Sequence, residues 1–173
     1  MEQQKPPLFS KGKIIFCTLL VALVLIAETV LHLNHLATWP AFACMILYFL
    51  AHMDHKQIPH ILIGAFFGIL NYPLLVMFVK VLAPVIGSFP AQLIYIGLFV
   101  GAIVLLKDHL PLVFNTNAFM LLVITAVAAK VPPAPEPYLW IAIQLVGGTA
   151  LVMGVYGIQK IVASIMGTQQ SAH

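Results

Sequence analysis

The sequence predicts an all-α integral membrane protein, with six transmembrane helices arranged as two inverted three-helix repeats and short second and fifth helices. Three observations lead there. Hydrophobic residues make up 62% of the 173 and charged residues only 8%, against about 25% charged in an ordinary soluble domain. The mean hydropathy of +1.05 excludes a soluble domain, a disordered chain and a disulfide-stapled module. The apolar residues fall into six runs, and the two short ones hold matching places. The runs are solidly apolar rather than alternating, so a β-barrel is not expected and the bilayer enforces helices.

The elements follow in order. Residues 1–13 form a cytoplasmic tail. Lys5, Lys11 and Lys13 precede span one, Ile14 to Leu33. That run of about 20 residues is too long for a signal-peptide core, so it reads as a retained first helix. Span two is Pro40 to His52, and span three is Ile58 to Val79 with Pro73 inside it. Residues 14–82 make the first repeat. Span four is Pro90 to Leu106, span five Ala118 to Ala129, and span six Tyr138 to Gln159. Residues 83–163 make the second repeat, and 164–173 a polar C-terminal tail. Three crossings per half invert the second half relative to the first. Over Glu28–His52 an offset of 77 aligns five identities, including His32-Leu33 on His109-Leu110 and Ala41-Phe42 on Ala118-Phe119.

Charge sets the expected orientation. All eight basic residues are lysines, and the lack of arginine argues against nucleic acid, where its bidentate geometry is favoured. With the N-terminus inside, six lysines fall on the inner side, and only Lys80 and Lys130 fall outside. Both termini are therefore expected in the cytoplasm. Cys17 and Cys44 lie within apolar runs and read as small core residues.

The short spans point towards function. A helix of about 13 residues rises about 20 Å, less than the roughly 30 Å hydrocarbon core. Its N-terminus can then stop inside the membrane with free N–H groups and a partial positive charge. Short segments at corresponding places in two halves are the sequence mark of a transporter site. Thr38 and Trp39 precede the first short helix, and Asn115, Thr116 and Asn117 the second. They are the candidate solute-binding residues, together with Asn71 and Gln144 in spans three and six. Plain helix capping is the competing reading of these loop residues.

Glu28 lies within span one with His32 one turn on, and a carboxylate at that depth calls for a partner or a wet cavity. Glu28, His32 and His109 are candidates for gating or proton coupling. His52, Asp54, His55 and His60 cluster on the inner side and could ligate a divalent metal, although a loop of this composition is usually just solvated. Gly64/Gly68 and Gly97/Gly101 have the spacing of close helix packing, within one subunit or between subunits. No nucleophile–base pair or phosphate loop is present, so neither an enzyme nor a cofactor is expected.

Trp39-Pro40-Ala41-Phe42 leading to Tyr48-Phe49, then Leu82-Ala83-Pro84, then Thr116 followed by Phe119, resemble the YcdZ-like family of small bacterial inner-membrane proteins of unknown function. The resemblance runs through most of the chain and implies a bacterial inner membrane, but no substrate. The expected partners are the lipid bilayer, a small solute and further copies of the chain in a homo-oligomer. The expected function is a channel or transporter for a small polar or anionic solute, bound between the N-termini of the short helices. The rivals are a divalent-metal permease using histidines and a non-transporting membrane scaffold or assembly subunit.

Overall fold

A computed structural model describes residues 10–132 and 135–170. It is helical throughout its regular parts: α1 (Lys11–Leu33), α2 (Trp39–Leu50), α3 (Ile58–Ile86), α4 (Ser88–Leu106), α5 (Thr116–Ala128), α6 (Pro137–Ile143) and α7 (Thr149–Gln170). A π-helical turn, Gln144–Gly148, joins α6 to α7, so the chain stays helical from Pro137 onward. Four segments are long and apolar enough to cross a membrane: Lys11–Leu33, His55–Ile86, Ser88–Leu106 and Pro137–Gly167. Trp39–Leu50 and Thr116–Ala128 are the shorter apolar helices.

Several boundaries differ from the sequence-based expectation. α3 runs past Val79 and Lys80 to Ile86, and the division expected after Leu82 falls inside it. Pro73 and Pro84 lie within the helix, each removing one backbone donor without ending it. The break comes at Gly87, whose φ of 90° and ψ of 155° suit only glycine. α7 continues through Gln170 rather than giving way to a loose tail at 164. Of the two expected tails, residues 1–9, with Lys5, and 171–173 lie outside the described residues.

The packing is built on small residues. α1 runs antiparallel to α7, with Gly12 against Val162 and Met166 and Gly154 against Leu23. α2 runs parallel to α7, Ala41 and Cys44 meeting Gly147 and Gly148 while Tyr48 reaches Gln159. α5 runs parallel to α3 and presents Asn115, Ala118 and Leu121 to Gly64 and Gly68. α4 lies along α3. The core therefore sits where the short helices meet the long ones, and Ala41, Cys44, Tyr48, Ile61, Ala65, Leu121 and Val152 are all buried there.

The outer faces are apolar. Leu25, Ile26, Val85, Leu105 and Val146 are among many large side chains left exposed, the reverse of a water-facing surface and compatible with membrane insertion. Thr18 and Thr29 of α1 return their hydroxyl protons to the carbonyls of Ile14 and Leu25, so neither is left unsatisfied.

Two helix ends explain two histidines. At the end of α1, Leu36 N–H donates to Leu31 O and His35 N–H to His32 O, both at 3.0 Å. At the end of α2, Met53 N–H donates to Tyr48 O and His52 N–H to Phe49 O, both at 2.9 Å. Both are Schellman caps, with His35 (φ 54°) and His52 (φ 53°) at the left-handed position usually held by glycine.

Candidate functional site

The bundle has two ends. The starts of α1, α3 and α5 and the ends of α2 and α7 share one, here called the near end. The end of α1, the starts of α2 and α6 and the end of α5 share the other, the far end. Polar side chains gather along the first turns of α3 from two directions.

From one side comes Gln144, fully buried at 0% exposure. Its Nε2 donates to Leu62 O at 3.1 Å and lies 3.6 Å from Cys44 Sγ. Since Leu62 O only accepts, the amide orientation is fixed, with Oε1 on the other side. That oxygen is buried and has no hydrogen-bond partner among the described residues. Leaving such an acceptor dry costs about 1–3 kcal/mol. Gln144 also opens the π-helical turn, a rare distortion concentrated at functional places in helices.

From the other side come the asparagines of α5. Asn115 Oδ1 accepts from Ala118 N–H at 3.0 Å and caps the helix. Its Nδ2 lies within bonding distance of His60 O, Pro111 O and Leu112 O, at 3.2, 2.9 and 3.0 Å. Asn117 Nδ2 adds a longer bond to His60 O, at 3.3 Å. Gly64 makes this approach possible, since a Cβ there would collide with the Asn115 amide. His60 Nδ1 is the other buried side-chain atom with no partner among the described residues.

The remaining candidate residues are dispersed. Thr38 makes no side-chain cap bond, and Trp39 packs edge-on to Trp140 with ring centroids 5.3 Å apart. Both lie at the far end, beside the end of α5. Asn115, at the start of α5, is about 20 Å away along that 13-residue helix. The N-termini of the short helices therefore do not converge on one midplane site. α2 runs towards the near end and α5 away from it, each on a different long helix, rather than the two meeting end to end. Thr116 is exposed. Asn71 donates to Phe67 O at 2.6 Å and accepts from Tyr95 at 2.9 Å, so its amide ties α3 to α4.

Glu28, His32 and His109 are all exposed, and none makes an ion pair among the described residues. The buried partner expected for Glu28 is not formed. Five residues from the end of α1, its carboxylate is about 8 Å from the helix end, close enough to reach an interface rather than a cavity. His109 follows α4 near the opposite end of the bundle from His32, so the three do not form one relay.

Among the described residues no three His, Cys, Asp or Glu side chains come close enough to hold a metal ion. Three of the four candidate metal ligands have other roles. His52 caps α2, His55 stacks on Tyr156 at 5.9 Å, and Asp54 Oδ1 accepts from Lys56 N–H at 2.9 Å. Tyr48 was not anticipated. Its hydroxyl donates to Met53 O at 2.8 Å and lies 2.9 Å from Gln159 Oε1, joining α2 to α7. A tyrosine near the end of an apolar helix gave no sign of a partner 111 residues away.

Comparisons with protein-family models, curated proteins and solved structures returned no match.

Proposed function

We propose that the chain is a channel or transporter for a small polar solute, with six crossings in two inverted three-helix halves. One correspondence of contacts carries this reading. Ala41 and Cys44 close on Gly148, and Ala118 and Leu121 close on Gly68. Ala118 and Leu121 lie 77 residues after Ala41 and Cys44, and Gly148 lies 80 after Gly68. On this reading the short helix of each half grips nearly the same place, three residues displaced, on the long third helix of the other half. The starts of α1 and α4, at Lys11 and Ser88, and of α2 and α5, at Trp39 and Thr116, are also 77 apart. The first helices obey the same exchange, α1 packing on α7 and α4 on α3.

Inverted repeats are a common plan of secondary transporters. The buried Gln144 amide, with a free oxygen beside a π-helical turn, supplies a polar contact where an apolar scaffold needs none. The lysine distribution supports cytoplasmic termini, and the family resemblance supports a bacterial inner membrane.

Liposomes carrying the purified protein test the reading against a panel of glycerol, urea, ammonium and formate. At least one solute should cross faster than in empty liposomes, and Gln144→Leu should slow it at least about tenfold, the loss of one good polar contact. No flux for any solute, with a stable partner protein retained on gentle purification, would favour a scaffold instead.

A further inference from the structure

We propose that the far-end cavity binds a small organic cation with an apolar body, of the quaternary ammonium class. The cavity, of about 610 Å³, is bounded chiefly by Trp39, Val127, Val131, Glu136, Leu139 and Trp140. That size suits a small-molecule site.

Its charge selects the ligand. Glu136 and His35 are the only titratable side chains among the described lining residues, and no lysine is among them. Lys130 lines a different cavity, between α3, α4 and α5. Glu136 makes no ion pair among the described residues. The starts of α2 and α6 and the ends of α1 and α5 reach the same region. At about half a charge per helix end, two starts and two ends roughly cancel, which leaves the carboxylate to set the sign.

Its aromatic walls select the ligand's shape. The Trp39 and Trp140 rings pack edge to face at 72°, and with Trp140 buried the half-buried Trp39 is the indole left with surface towards the cavity. Tryptophan gives the strongest cation–π attraction of the aromatic side chains. A neutral molecule or an acyl chain would gain from the apolar walls but not from Glu136, and an anion would be repelled. The inference stands independently of transport, because it concerns equilibrium binding.

Trp39 and Trp140 are the only two tryptophans in the sequence, so tryptophan emission reports on this cavity. The full-length protein in nanodiscs of choline-free lipid is titrated with tetraethylammonium, tert-butanol and butane-1-sulfonate. Tetraethylammonium should give a saturable emission change that the other two do not. Glu136→Gln should weaken it about tenfold, and Trp39→Phe should weaken binding measured by equilibrium dialysis. Three results would each overturn the proposal: no saturable change, an equal response to tert-butanol or the sulfonate, or unaltered affinity in Glu136→Gln.

Discussion

Two glycine pairs with the same spacing should differ sharply in their response to one added methyl group. At Gly68 a new Cβ would lie 2.5 Å from Ala118 O and 2.6 Å from Leu121 Cβ, both fixed to the α5 backbone. Relief at ordinary contact distance requires α3 and α5 to part by about 0.8 Å. A gap of that size forfeits a quarter to a half of each dispersion well along the seam. With Ala118, Leu121, Leu122 and Thr125 all buried there, Gly68→Ala should cost about 2–3 kcal/mol, at the upper end of the overpacking range. At Gly97 and Gly101 a Cβ meets nothing within 4 Å, so Gly97→Ala should change stability by less than about 0.5 kcal/mol. Reversible unfolding in mixed micelles at rising SDS fraction, followed by helicity, measures both. Equal destabilisation by the two variants would refute the assignment of one pair to the core and the other to an open face. If the open pair serves a homo-oligomer, Gly97→Leu should lower the mass seen by native mass spectrometry without altering unfolding of the monomer.

Two further substitutions test local parts of the structure by the same unfolding measurement. Asn115→Ala removes the α5 cap and the amide contacts to three carbonyls, and should cost about 1–2 kcal/mol. Asn117→Ala, losing one longer bond, should cost less than half as much. His52→Gly relieves a left-handed histidine at the end of α2 and should stabilise the protein by about 0.5–1 kcal/mol. A loss of stability there would show that the imidazole has a role beyond its backbone position.

The all-helical, membrane-compatible class was legible in the sequence because bilayer chemistry acts on composition. Apolar runs must hydrogen-bond internally, and their lengths separate four long helices from two short ones. Local caps were also partly legible, as with Asn115, since capping depends on residues only a few positions apart. Other features arise from contacts between distant residues, which no local pattern encodes. Glu28, apolar-flanked in the sequence, is exposed because α1 lies at the edge of the bundle. Asn71, which looked like a pore residue, is occupied by Tyr95, 24 positions away. Gly64/Gly68 and Gly97/Gly101 share one motif, yet only the first pair faces another helix. Gln144 was a candidate from its residue type alone, but its 0% exposure and free oxygen depend on how α2, α3 and α6 meet. Composition determined the solvent and the secondary structure. Only the tertiary structure decided which polar groups turn inward, because an apolar helix surrounded by lipid offers almost no sequence difference between its lipid face and its packed face.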